Sequence, residues 1–242
     1  MKNSAKKFVK RFFWSFGLKI SGISKNELSE EKKIEWFRNL NFKTIIDVGA
    51  SKGNFSLPFH KIFPRAQIYA FEPLTDCFEL TKKKLEGVPG FKAFNLALSD
   101  FKGKSQIFRS SYSGASSLIK MSSLQKELFP VTAGESKQDI TVDTMDNVLG
   151  GMQLDEPILI KLDVQGTEDR VIRGGRSVFG KTKAVIAETS FCRLYEGQPL
   201  FNDISRQLEA LGFRYAGIWG EGDFRSPVDG KPLQQDSIFV RD

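Results

Sequence analysis

The spacing of hydrophobic residues changes along this chain, and each change predicts an element. Near the start, Ala5, Phe8, Val9, Phe12, Phe13, Phe16 and Ile20 recur every three or four residues, with Lys6, Lys7, Lys10 and Arg11 on the opposite side. That is an amphipathic helix over residues 1–20. Ser21 to Asn26 reads as a hinge. Ile34, Trp36, Phe37 and Leu40 then predict a second helix from about Leu28 to Leu40. The helical spacing stops at Thr44-Ile45-Ile46, carried on by Val48, the unbroken apolar run of a buried strand. Glycines follow at 49 and 53, and helical spacing returns at Phe55, Leu57, Phe59, Ile62 and Phe63. Pro64 ends that helix. Gln67 to Phe71 predicts a second strand, Leu74 to Leu85 a helix and Phe91 to Leu96 a third strand.

Residues 101–156 are the least regular. Ser105 to Phe108 and Ile140 to Val142 read as strands, and Asp143 to Leu149 as a short helix. Ser110 to Ser117 is small and polar, a flexible loop by composition. So long an irregular insertion in an α/β chain points to a lid or a substrate surface. Beyond it, Pro157 to Leu162 and Lys183 to Ala187 predict buried strands. Leu200 to Leu211 predicts a helix stopped by Gly212. Phe213 to Ile218 and Ser237 to Val240 predict the last two strands, joined by a loop rich in Gly and Pro.

Strand, glycine turn and helix at 44–63 form the unit that binds a nucleotide-like cofactor at its bend. The glycines let the backbone turn tightly and a ligand approach, and the helix start offers unpaired N–H groups. Asp47 narrows the choice. A carboxylate under the loop repels a pyrophosphate and attracts an ammonium or sulfonium. The stretch also lacks the first glycine of G-x-G-x-x-G. Both features favour S-adenosylmethionine over a dinucleotide. Glu72, at the end of the second strand, stands where a ribose hydroxyl is held, since a carboxylate only accepts hydrogen bonds. Ser99 or Asp100, after the third strand, is placed to accept from the adenine amino group.

The later strands carry more chemistry. Lys161 interrupts an apolar strand that ends at Asp163, and the two point to one face. A buried ammonium needs a partner, and Glu168 and Glu188 are the candidates. Asp47, Asp163 and Glu188 thus gather at the carboxyl edge of the predicted sheet. His60, the only histidine, lies on the helix after the glycine turn, with less claim to catalysis.

Charge changes the picture at one end only. The chain of 242 residues carries a formal net charge of +7. Six positive charges fall in the first 20 residues with no acid among them, which leaves the rest close to neutral. That argues against nucleic acid as a partner and for contact of residues 1–20 with an anionic membrane surface, or for docking of that helix on its own domain or a twin subunit. The two cysteines, Cys77 and Cys192, lack metal-ligand spacing and imply no disulfide framework. With no signal peptide and no membrane-spanning run, the expected setting is cytoplasmic, peripheral on the inner face of a bacterial membrane.

Five stretches together resemble the FkbM family of S-adenosylmethionine-dependent methyltransferases. They are Ile46-Asp47-Val48-Gly49-Ala50 with Gly53-Asn54-Phe55; Tyr69-Ala70-Phe71-Glu72-Pro73; Ala97-Leu98-Ser99-Asp100; Ser116-Ser117-Leu118; and Ile160 through Glu168 followed by Gly174. The resemblance runs from about residue 44 to 190. It implies a class I methyltransferase domain over 41–242: a Rossmann-like seven-stranded sheet, its last strand antiparallel, with helices on both faces. It implies a cofactor site of Asp47, Gly49, Ala50, Ser51, Gly53, Asn54, Phe55, Glu72, Pro73, Ser99, Asp100 and Asp163. It also implies O-methylation of a sugar, glycan or natural-product hydroxyl. Catalysis is expected of Asp163 with Glu188, Lys161 and Glu168, acting as base or by holding a divalent cation. Ser51 stands where the family usually has Asn, and Gln165 where it usually has Glu. Two rivals remain: a membrane-tethered scaffold of the same fold, and an NAD(P)-dependent oxidoreductase.

Overall fold

The computed structural model of the chain describes residues 35–242, excluding the side chains of residues 221–223. The expected basic helix, the hinge and most of the second helix lie outside the described residues; residues 35–39 are helical. Residues Asn41–Asp242 form one compact unit.

Seven strands build its main sheet: β1 (Thr44–Val48), β2 (Gln67–Phe71), β3 (Phe91–Phe94), β7 (Ile158–Leu162), β8 (Thr182–Ser190), β9 (Arg214–Arg225) and β10 (Pro232–Val240), in the order β3-β2-β1-β7-β8-β10-β9. Strands β3, β2, β1, β7 and β8 pair in parallel, and β10 runs antiparallel to both its neighbours. The expected architecture, with an antiparallel last strand, is present. Strands β1 and β7 are buried at every position, as fits strands covered on both faces. Alternation sorts their side chains. Ile46, Val48, Ile160, Leu162 and Val185 join a core with α4 (Met145–Leu149), α5 (Glu168–Gly174), α6 (Arg176–Lys181) and α7 (Phe201–Glu209). On the other face lies α1 (Ser56–Ile62), whose Phe59 meets Trp219 of β9 at a ring-centroid distance of 5.1 Å. That second face carries Asp47, Lys161 and Asp236.

Three further strands form a second sheet: β4 (Ala97–Leu98), β5 (Gly103–Ser110) and β6 (Glu135–Asp143), in the order β4-β6-β5. The strands expected at 105–108 and 140–142 lie within β5 and β6, and what the pattern does not show is their pairing into a sheet of their own. Ala97, Ile107, Ile140 and Val142 pack it onto Leu74 and Cys77, at and beside α2 (Thr75–Lys84). The stretch 110–117, expected to be flexible, is tied down. Phe108 and Ser117 exchange backbone hydrogen bonds, and the Ser110 hydroxyl donates to the Thr132 carbonyl at 2.7 Å. The last two strands are also longer than expected and take up most of the Gly- and Pro-rich loop as a bulged hairpin.

Candidate active site

At the carboxyl edge of the main sheet a cavity of about 610 Å³ opens between strand ends and the insertion. One end is built by β1 and β2. Asp47 is 1% exposed and accepts from the Ser56 hydroxyl at 2.5 Å. Burial raises its pKa to about 6, against the pull of Ser56 and Lys161. Glu72 accepts from the N–H groups of Leu74 and Ser51, both at 2.8 Å, and burial raises it to about 7. Each carboxylate oxygen keeps further lone pairs for a ribose hydroxyl. Ala50, Ser51, Asn54, Phe55 and Pro73 also line the cavity.

The glycine turn works differently from expectation. The N–H groups of Gly49 and Ala50 both donate to the Phe71 carbonyl at 3.0 Å, Gly53 N–H donates to Ala50, and Ser51 N–H to Glu72. Four donors that a pyrophosphate would need are thus committed within the protein. Nor is Gly49 a glycine for a ligand's sake. At φ +83°, a Cβ there would lie 1.9 Å from the Asp163 carbonyl oxygen, so it is the loop after β7 that approaches. A buried carboxylate with free acceptor positions, beside four committed donors, suits S-adenosylmethionine, which has a cationic centre and no phosphate.

The other end gathers acids. Strand register puts Asp236 of β10 opposite Glu188 of β8. Lys161 Nζ donates to Asp236 at 2.9 Å and to Asp163 at 3.4 Å. The expected partners, Glu168 and Glu188, are therefore corrected to Asp163 and Asp236, although Glu188 adds its charge. Burial works against the ammonium, but these three acids outweigh it and hold the Lys161 pKa above its usual value. Burial and Asp163 push Glu188 well above the carboxylate range.

Gln165 stands between the two acids. Its Nε2 donates to Asp163 at 2.8 Å and to Glu188 at 2.7 Å. Two carboxylates demand donors, which fixes the amide's orientation. The Tyr195 hydroxyl shares its proton between Gln165 Oε1 at 2.7 Å and the Ala115 carbonyl at 3.0 Å. Gln234 Nε2 adds a second donor to Glu188 at 3.0 Å. An amide N–H pair between Asp163 and Glu188 is the wrong donor set for a divalent cation, and among the described residues no group of three or more His, Cys, Asp or Glu suits a metal. Gln165, which stands where the family usually has Glu and is not among the expected catalytic residues, sits at φ +56° in the turn after β7. Tyr195, Asp236 and Gln234 went unmarked, although polar Gln234 and Asp236 alternate along a strand beside Glu188.

Four expected site residues lie outside the cavity lining. Glu168 is 2% exposed and accepts from the N–H groups of Val164 and Gly166 at 3.1 Å, which fixes the turn after Asp163. Asp100 pairs with Arg173 at 2.9 Å. Ser99 is fully buried, and its carbonyl oxygen would lie 2.0 Å from a Cβ on Gly174. This part of the third stretch thus seats α5. Gly53 packs on the Lys84 side chain. His60 also lies outside the lining.

The sheet order, with acids at the ends of β1 and β2 beneath a turn that commits four of its N–H groups within the protein, defines a class I methyltransferase. A family model described as Methyltransferase FkbM domain matches residues 47–215, and the chain belongs to this family of S-adenosylmethionine-dependent methyltransferases. It is similar to 2-O-methyltransferase NoeI of Sinorhizobium fredii (strain NBRC 101917 / NGR234), 26% identical over 160 residues, 64% of this chain and 66% of that protein. The match thus spans just under two thirds of that relative's length. It is also similar to methyltransferase sdnD of Sordaria araneosa, 28% identical over 193 residues, 70% of this chain and 73% of that protein. Among solved structures, precorrin-6y C5,15-methyltransferase from Geobacter metallireducens GS-15 aligns over 92% of this chain and 93% of that one, with 9% identity and a TM-score of 0.45. Among the described residues no helix is long and apolar enough to cross a membrane.

Proposed function

We propose that this protein transfers a methyl group from S-adenosylmethionine to a hydroxyl of a sugar, glycan or natural product, with Asp163 and Glu188 at the acceptor. The observation that carries this reading is the Asp163–Gln165–Glu188 bridge, which lies in the same cavity as Asp47 and Glu72. The 2-O-methyltransferase among the relatives supports oxygen as the atom methylated.

When bound, the cofactor supplies an electrophilic methyl; the residues supply alignment and a destination for the proton. Asp47 balances the cofactor's ammonium, and Glu72 accepts from the ribose. Asp163, with Glu188 behind it, accepts the acceptor's hydroxyl proton as general base. Lys161 keeps Asp163 oriented and offsets its charge. Gln165 holds the two carboxyls in one geometry, and Tyr195 holds Gln165. The insertion 101–156 roofs the cavity through residues such as Tyr112, Phe129 and Thr132, which supports its reading as the substrate region. Residues 1–20 would bring the enzyme to an anionic membrane surface.

Methyl transfer from radiolabelled S-adenosylmethionine to glycosides and polyhydroxylated natural products tests the reading, with product identified as a base-stable ether. Asp163→Asn is expected to lower turnover by about 10²- to 10⁴-fold and to leave cofactor affinity within a few-fold. Full activity in that variant would sink the role given to Asp163.

A further inference from the structure

The cavity contains one buried polar atom that the protein leaves unmatched. Gln125 lies on α3 (Ser123–Leu128) and lines the cavity. It is 7% exposed, and its Oε1 has no hydrogen-bond partner among the described residues. A buried carbonyl left unpaired is costly, and native structures rarely keep one without a use.

Its surroundings point to the acid end. Met121, shortly before α3, packs with Tyr195 and Leu233, and the Tyr195 hydroxyl bonds Gln165 between the two acids. Phe129, next after α3, meets Phe224 of β9 at a ring-centroid distance of 5.0 Å. Phe224 lies across from Gln234, which donates to Glu188. Both rings line the cavity, and Phe224 is 51% exposed, so its face is open to an occupant.

We infer that Gln125, Phe129 and Phe224 form the acceptor subsite, and that its occupant is a saccharide ring. The inference rests on the methyl-transfer reading above. A saccharide has both parts this wall asks for. A ring hydroxyl donates to the Gln125 amide, and the ring's C–H face packs on the phenyl pair. An apolar acceptor would leave the amide unmatched. An anionic one would meet Asp163 and Glu188, with Lys161 the one cation in the cavity lining among the described residues. Gln125 therefore determines specificity: it reads a hydroxyl near the one that Asp163 activates.

The test uses the full chain loaded with S-adenosylhomocysteine and a panel of methyl glycopyranosides that includes 6-deoxy sugars, with cyclohexanol as apolar control. Saturation-transfer NMR reads binding, titration calorimetry reads the cofactor, and a thermal melt reads folding. Contact is expected at ring C–H protons of at least one glycoside and not with cyclohexanol. Gln125→Leu and Phe224→Ala should each weaken glycoside binding about tenfold or more and leave homocysteine-cofactor affinity unchanged. Gln125→Leu also removes the unmatched oxygen, so it should raise the ligand-free Tm by about 3 °C; a merely structural glutamine would lower it. Cofactor binding with no glycoside contact, or contact unchanged in both variants, would overturn the subsite and leave the methyl-transfer reading standing. Failure of the wild type to bind the homocysteine cofactor would overturn both.

Discussion

Gln165 is the residue that holds together Asp163 and Glu188, the two carboxyls proposed to act on the acceptor. Replacing its amide by a carboxylate puts a third acid between Asp163 and Glu188, and like charges at that distance in a buried site are unfavourable. Gln165→Glu should destabilise the protein by about 1–3 kcal/mol. The new acid's folded pKa lies above its unfolded one, so the deficit should grow as pH rises from 5 to 8; thermal melts across that range check it, and a pH-independent deficit would contradict the charge explanation. The cofactor end has its own pH dependence. In the roles proposed for them, Asp47 and Glu72, raised to about 6 and about 7 by burial, must be ionised to hold an ammonium and to accept from a ribose. Binding lowers both pKa values, so it releases protons, and S-adenosylmethionine affinity should climb from pH 5 to about 8. Calorimetry at pH 6.5 in buffers of differing ionisation enthalpy measures that release; proton uptake would contradict it. Asp47, Glu72, Asp163 and Glu188 were legible because an acid that closes a buried apolar strand stands out. Asp236 and Tyr195 were not, because one depends on hairpin register and the other on where a loop lands.

Among elements, the contact of the β1 turn with the loop after β7 is the least forgiving. Gly49→Ala sets a Cβ at 1.9 Å from the Asp163 carbonyl oxygen and at φ +83°. It should cost about 2–4 kcal/mol, and because it displaces the backbone of Asp163 it should also lower turnover in whatever protein folds. Chemical denaturation with an activity assay separates the two. Strands β1, β2 and β7 were readable because both faces are covered, so nearly every position is buried and most are apolar, against which Asp47 and Lys161 stand out. Of the small sheet only the inner parts of β5 and β6 were readable, because β6 reads Glu135-Ser136-Lys137-Gln138-Asp139 before its first buried apolar residue, Ile140. Its pairing with β5 comes from long-range register, which no local period records.

For the whole molecule, the contrast is between a near-neutral catalytic unit and a basic first 20 residues. Deletion of residues 1–20 should release the protein from anionic liposomes, read by co-sedimentation, and leave cofactor binding untouched; unchanged sedimentation would refute membrane attachment. Both the cofactor and the acceptor chemistry turn on the cavity at the sheet's carboxyl edge. Its committed backbone donors and buried acids are what separate a sulfonium cofactor from a dinucleotide. Isothermal titration of the purified full chain with S-adenosylmethionine, S-adenosylhomocysteine and NAD(P)H tests that most directly. Binding of the first two, with no heat from NAD(P)H, is the predicted result. Binding of NAD(P)H alone would contradict the account built on Asp47, and binding of none would favour a scaffold that keeps the fold without the reaction.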